Sequence, residues 1–319
     1  DFQSAYDRLV VQLSNLCKMH VYLLQSEAID PDDKKVFLEL KAGTASEAQV
    51  GFSLNTLMRM MESYYRKPVI LLLDEYDVPL AKASSNGYYK EMLSVIKGMM
   101  STALKDNPFL KFAIITGCLK IAKESIFTGL NNFKVYSITN MEFDETFGFT
   151  DAEVREMLQY YELIDKYEEV KEWYDGYRFG NTEVYCPWDV VNYCSDHVKY
   201  PNAAPENYWM NTSGNNVMNR FIDSVQQPDM LTKAELGWLV NGETVVKKID
   251  ETVTYDDLYS TMDHLWSTLF MTGYLTQKGK EVDGRYCLAI PNQEIKNIVT
   301  ERILTLFRND VRKDGRAVL

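Results

Sequence analysis

No stretch of this sequence matches G-x-x-x-x-G-K-[ST], the loop whose backbone N–H groups cradle phosphates. Any nucleotide site read from it therefore lacks its phosphate half. The five cysteines, Cys17, Cys118, Cys186, Cys194 and Cys287, are odd in number, scattered and without C-x-x-C spacing. That pattern argues against a disulfide framework or a zinc site and for a reducing, cytoplasmic setting. His20, His197 and His264 are isolated from one another, so each reads as a surface or core residue rather than a ligand. Metal chemistry, if present, would use oxygen donors and favour Mg2+. Basic residues are outnumbered, 34 Lys and Arg against 46 Asp and Glu, for a net charge of −12. Such a balance disfavours non-specific DNA binding by the whole chain, because phosphate neutralisation needs clustered cations. The one basic cluster of note, Arg308, Arg312, Lys313 and Arg316, reads equally well as a solvated helix end or a tail. No apolar run is long enough to cross a bilayer and no signal peptide is visible, so no membrane partner is expected.

What is present is concentrated in Lys67-Pro68-Val69-Ile70-Leu71-Leu72-Leu73-Asp74-Glu75-Tyr76-Asp77. An apolar run discharging into three carboxylates reads as a strand buried on both faces of a parallel sheet, with ligands gathered at its carboxyl end. This is a Walker B-like element. Asp74 would hold Mg2+, directly or through water, and Glu75 would orient or deprotonate an attacking water. The competing reading is a buried strand that ends in a solvated acidic turn. Thr116 stands at the end of the next apolar run, Phe112 to Ile115, where it could hydrogen-bond that water or a γ-phosphate. Equally, it could satisfy a local backbone group.

Apolar spacing predicts a helix through Tyr6, Leu9, Val10, Leu13, Leu16 and Cys17, another from Leu54 to Tyr65, and a third from Met92 to Leu104. Residues Asp30 to Thr44, with Pro31 and Gly43, and the run Ala83 to Gly87 read as loops. A short strand is expected at Lys134 to Ile138. The alternation of helix and strand is the rhythm of a parallel α/β sheet. After about residue 140 short helices predominate. Thr150 with Glu153 and Thr232 with Glu235 read as capping boxes, Pro187 as a first-turn proline, and Tyr255 to Met271 as a helix. Gly273 to Thr276 and Arg285 to Ile290 suggest a hairpin about the turn Lys278 to Gly284, and a helix followed by a hairpin is compatible with a winged-helix subdomain. Between these lies an aromatic cluster, Trp173-Tyr174-Asp175-Gly176-Tyr177-Arg178-Phe179-Gly180, followed by Tyr185-Cys186-Pro187-Trp188. Arg178 is either a lid-borne cation reaching toward a γ-phosphate or, the better reading, a structural arginine stacked among the rings.

Taken in order, Asp74-Glu75-Tyr76-Asp77 with Pro79-Leu80, Thr116-Gly117 through Ala122 to Asn132, the Trp173 to Tyr177 string, Pro187-Trp188 and Tyr208-Trp209 to Ser213 resemble the AAA-ATPase-like proteins. These are often fused to a PD-(D/E)XK nuclease-like domain. The resemblance implies a P-loop NTPase-like α/β core over 1–141, truncated at its N-terminus, and a mainly helical, winged-helix-compatible lid over 142–319. It also implies ATP and Mg2+ as cofactors, with Asp74 as the metal-linked acid and Glu75 and Thr116 as the catalytic pair. Asp77, Lys120 and Arg178 would be nucleotide-binding. Lys120 stands where the family more often has Arg, and Cys186 where it usually has Asn. Because the chain opens with Asp1-Phe2, the phosphate loop is expected to precede it and the nuclease-like domain to follow Leu319.

The expectation is therefore an Mg2+-dependent nucleotide switch with little or no ATPase activity of its own. The alternative is a non-catalytic module in which Asp74-Glu75 is a vestigial nucleotide site and the aromatic lid recognises a protein or DNA partner. A nuclease-type metal cluster is disfavoured because Asp74, Glu75 and Asp77 are local to one strand end.

Overall fold

A computed structural model describes residues 1–119, 133–209, 230–258, 260–280 and 282–302. The chain is a mixed α/β protein of two compact units. The first comprises Asp1–Lys134 with Thr252–Asp256, the second Val135–Glu251 with Asp257–Leu319. Lys120, Ala122 to Asn132, Ser213 and the terminal basic cluster lie outside the described residues.

The first unit begins with α1 (Phe2–Met19), started by Asp1, whose carboxylate accepts the Ser4 N–H, and it buries Leu13 and Cys17. Helix α2 (Pro31–Ala42) occupies the stretch expected to be a loop. The residues that suggested a break are its punctuation. Asp30 caps the first turn, Pro31 sits where a helix needs no N–H, and Gly43 adopts the left-handed φ of 73° that ends it. A short α3 (Glu47–Gly51) starts with a Ser46/Gln49 capping box, and α4 (Ser53–Tyr65) follows. Leu23, Phe37, Leu57, Met60 and Met99 share one core, and full burial of a side chain like Phe37 is worth about 2 kcal/mol. The Arg59 guanidinium grips Asp33 with both arms, fastening α4 to α2, the Nε bond being 2.7 Å.

Strand β1 (Val69–Leu73) pairs in parallel with β2 (Leu110–Ile115), placing Leu73 beside Ile115. Between them run α5 (Val78–Asn86) and α6 (Tyr89–Leu104), the right length for a crossover. The expected loop at Ala83 to Gly87 is instead the end of α5, stopped by Gly87 at φ 77°. Burial of β1 on both faces is also corrected. Val69, Leu71 and Leu73 are partly covered, whereas Ile70 and Leu72, with their register partners Phe112 and Ile114, are exposed. An all-apolar run suits two-sided burial, but α4 and α6 supply cover on one side only among the described residues.

In the second unit, α7 (Asp151–Tyr160) starts at the expected Thr150/Glu153 capping box. Helix α8 (Tyr167–Tyr174) leads into the two-stranded ribbon β3 (Tyr177–Phe179) and β4 (Thr182–Val184), and α9 (Pro187–Lys199) begins at Pro187 as expected. Gly176, at φ 95°, passes so close to the Pro291 carbonyl that a Cβ would lie 2.1 Å from its oxygen. Strand β5 (Val245–Lys248) joins β6 (Thr276–Lys280) and β7 (Arg285–Ala289) in an antiparallel sheet of order β5-β7-β6; the expected hairpin forms and gains a third strand, but its first strand is shifted, with 273–275 outside it and 278–280, expected as turn, inside it. Trp266, Leu269, Phe270, Tyr274 and Leu288 form its core.

Three further expectations are corrected here. Residues 134–138 form no strand. Thr232 lies inside the helix Met230–Val240, where Glu235 pairs with Lys247 Nζ at 2.7 Å across to β5 instead of closing a cap. The helix expected from Tyr255 runs over Met262–Met271, because the Thr261 hydroxyl caps it by accepting the His264 N–H.

Candidate functional site at the ends of the parallel strands

The parallel register brings the end of β2 against the end of β1, and Thr116 is the hub of the contact. Its N–H donates to Leu73 O at 2.9 Å, and its carbonyl accepts the Tyr76 N–H at 3.0 Å. The hydroxyl donates to Asp74 Oδ1 and accepts a long 3.4 Å bond from the Glu75 N–H. Glu75 adopts a left-handed φ of 51°, an uncommon conformation for a residue with a side chain, costing about 1 kcal/mol. Asp74 and Glu75 are exposed, and Oδ2 of Asp74 has no protein donor among the described residues.

Asp77 is different. It is buried, and its Oδ2 accepts the Cys118 N–H at 2.9 Å, the Leu119 N–H at 3.0 Å and the Tyr255 hydroxyl at 2.8 Å. The adjacent Tyr76 hydroxyl donates to Leu119 O at 3.0 Å. Side chains 76 and 77 thus clamp the backbone of 118 and 119 from both its donor and acceptor sides. Gly117 lets that backbone approach, since a Cβ there would lie 2.5 Å from the Tyr76 ring and 2.9 Å from Asp77 Oδ1. Burial and the neighbouring Asp77 hold the Tyr255 phenol well above its usual range, so it remains a neutral donor.

The structure therefore brings Asp74, Glu75 and Thr116 together at an open strand end, with Asp77 directly behind them. Lys120 lies outside the described residues. Arg178 belongs to β3 in the second unit, where its N–H donates to Thr276 Oγ1 at 2.8 Å. Mg2+ typically takes one or two carboxylates and completes its shell with water and substrate phosphates. The exposed Asp74-Glu75 pair fits that modest donor set. Among the described residues, no group of three or more His, Cys, Asp or Glu is placed to enclose a metal.

Residues 3–127 match the AAA-ATPase-like family model. Its description reads "Predicted AAA-ATPase", and the matched AAA-ATPase-like segment contains β1, β2 and every residue of the strand-end cluster except Tyr255. The chain is also 25% identical over 261 residues to an uncharacterised protein encoded in the vnfD 5' region of Azotobacter chroococcum mcd 1. That alignment covers 79% of this chain and 46% of the relative, so the chain spans about half of the relative's length. No solved structure matches.

Two features escaped the sequence reading. Tyr255 is 178 positions from Asp77, and no local spacing announces the pairing. The second is a buried acid pair in the second unit, formed by Asp189 in the first turn of α9 and Glu294 in a helix over 293–302. Among the described residues, no N–H or O–H donates to either oxygen of Asp189 or to Oε2 of Glu294, and the Cys186 thiol lies against Asp189; Oε1 of Glu294 accepts the Trp209 N–H at 2.7 Å. The two carboxyls lie close enough to hydrogen-bond each other once one is protonated. Burial, then Asp189, pushes Glu294 up to about 9, and burial raises Asp189 as well. The histidines serve local structure: His197 stacks on Tyr193 with ring centroids 3.8 Å apart, and His264 Nδ1 lies 2.9 Å from Ser260 Oγ.

Proposed function

We propose that the first unit is part of an ATP-binding, Mg2+-dependent module of the AAA type that acts as a nucleotide-driven switch. The observation that carries the reading is the Thr116 hydroxyl donating to Asp74 across two parallel strand ends, inside a segment that matches the AAA-ATPase-like family. In a parallel sheet, ligands gather at this end of the strands.

In this reading Asp74 holds the metal, and the bond from Thr116 fixes the carboxylate's rotation so that Oδ2 faces the ligand side. Glu75, exposed beside it, orients the attacking water or takes its proton. Thr116 couples the two acids and can sense a γ-phosphate. Asp77 acts from behind by setting the course of residues 117–119, while Lys120 is assigned to the nucleotide. Bound Mg2+ would neutralise developing charge on the phosphates. The core is assigned to Asp1–Lys134 with Thr252–Asp256, and a winged-helix-compatible lid to the second unit, in a cytoplasmic protein. Among the described residues, no helix is long and apolar enough to cross a membrane.

Because the sequence holds no phosphate-cradling loop, little or no ATPase activity is expected from this chain alone. Calorimetric titration with Mg-ATP on a form extended at its N-terminus to carry such a loop tests the assignment. Asp74→Ala should abolish Mg-dependent binding and turnover. Equal binding and hydrolysis by the two forms would overturn it.

A second reading, a non-catalytic protein-binding module, draws on the exposed apolar face of Ile70, Leu72, Phe112 and Ile114. It predicts that Asp74→Ala changes no partner affinity, whereas a polar residue at position 72 does.

A further inference from the structure

The stretch Thr252–Asp256 belongs to the first unit although the chain on either side of it belongs to the second. Val253, Thr254 and Tyr255 are all buried, which is unusual for a short connecting stretch. Two of its hydrogen bonds tie it to the elements around the strand ends. Ser84 Oγ, near the end of α5, donates to the Tyr255 carbonyl at 2.9 Å, and the Tyr255 hydroxyl donates to Asp77 Oδ2 at 2.8 Å. The first holds the strap, and the second reaches the carboxylate that binds the Cys118 and Leu119 amides.

We propose that Tyr255 is a positioning residue for the strand-end acids: its hydroxyl fixes Asp77, Asp77 fixes residues 117–119, and these hold Thr116 against Asp74. The role rests on the nucleotide reading given above, but its first link stands on geometry alone. A buried carboxylate oxygen that accepts three donors is immobilised in a way that two adjacent backbone amides alone do not achieve. Those amides belong to one short segment, whereas the tyrosine comes from a different part of the chain and supplies an independent anchor. Tyr76 closes the same segment from its carbonyl side, at Leu119 O. Residues 118 and 119 are thereby held by Tyr76 and Asp77, the two residues that follow Glu75 in sequence, and through Asp77 by Tyr255. A displacement of the strap would therefore reach the Asp74–Thr116 bond through Asp77 without contacting any nucleotide.

The test compares Tyr255→Phe, which keeps the ring and removes the donor, with Ser84→Ala, which removes a different bond to the strap and leaves Asp77 untouched. Amide hydrogen exchange is read in the full chain, and Mg-ATP affinity in the form extended to carry a phosphate loop. A hydrogen bond to a charged group is strong enough that Tyr255→Phe should speed exchange at Cys118 and Leu119 about tenfold and weaken Mg-ATP by a similar factor. Ser84→Ala should leave both near wild type. Unchanged exchange in Tyr255→Phe, or the same acceleration in Ser84→Ala, overturns the anchor itself. Faster exchange with unaltered Mg-ATP affinity overturns the positioning role. If exchange responds but wild type binds no Mg-ATP, the nucleotide reading fails and the positioning role with it, while the anchor remains. Should Tyr255→Phe lose its fold, Asp77→Asn decides from the other partner: exchange at Cys118 and Leu119 that stays at the wild-type rate overturns the anchor.

Discussion

Asp77 in the first unit and Glu294 in the second are both shut away from solvent, but they are provided for in opposite ways. Asp77 receives two backbone N–H groups and a phenol on one oxygen. Glu294 receives one N–H, on Oε1, and otherwise faces Asp189, whose oxygens receive no N–H or O–H donor among the described residues. A buried carboxylate with converging donors can stay charged and organise the backbone around it. Two buried carboxyls without such donors are tolerated best when a proton is shared between them. One arrangement therefore uses converging donors to fix a loop beside a candidate site. The other ties stability to pH.

The sharpest way to break this contrast is to remove the two acids separately. Asp77→Ala leaves the Cys118 and Leu119 amides and the Tyr255 hydroxyl without an acceptor and should destabilise the first unit by about 3 kcal/mol. All five tryptophans lie in the second unit, so amide exchange over residues 69–119 is the direct measurement of that loss. A change below about 1 kcal/mol would mean that Asp77 does not clamp the loop.

Glu294→Gln should do the reverse. Glutamine imitates the protonated acid, able to accept the Trp209 N–H and to donate toward Asp189. With a folded pKa near 9, above the ordinary value of about 4.3, the folded state holds the proton more tightly than the unfolded one. Stability from this group is complete below the ordinary value and is lost as pH climbs toward 9, with a slope of up to about 1.4 kcal/mol per pH unit. Urea unfolding followed by tryptophan fluorescence at pH 5 and pH 8 should show wild type weakening at the higher pH. Glu294→Gln should flatten the slope and be more stable than wild type by about 2 kcal/mol at pH 8. Parallel pH profiles for the two proteins would show that the carboxyls do not share a proton.

The same contrast explains what could be read from sequence. Asp74, Glu75 and Thr116 were legible because a parallel pair places the residues following two apolar runs side by side, and the runs themselves were plain. Helix α2 was legible in principle. Asp30, Pro31, two acids in the first turn and Gly43 are start and stop signals, and treating proline and glycine as breakers rather than boundaries hid them. Tyr255, Glu294 and the third strand of the sheet were not legible. Each depends on a partner dozens of residues away or more, and local propensity carries no information about such a meeting. Asp77 falls between the two cases: its place in the acidic motif was visible, but whether it faced solvent or backbone was decided by Tyr255.

The smallest expected effect tests the face of β1 that the sequence led one to bury. Leu72 is 69% exposed, and its neighbour across the register, Ile114, is 54% exposed. Exposed side chains contribute little to stability, and threonine retains the β-branched preference for a strand. Leu72→Thr in this chain should therefore change unfolding by no more than about 0.5 kcal/mol, against the 2 kcal/mol or more expected of a leucine buried on that face. The covered face of the same strand is the control, and Leu71→Thr should cost more than Leu72→Thr by amide exchange across β1 and β2. Equal costs for the two substitutions would mean that both faces are packed in solution, and that the open face has found an occupant.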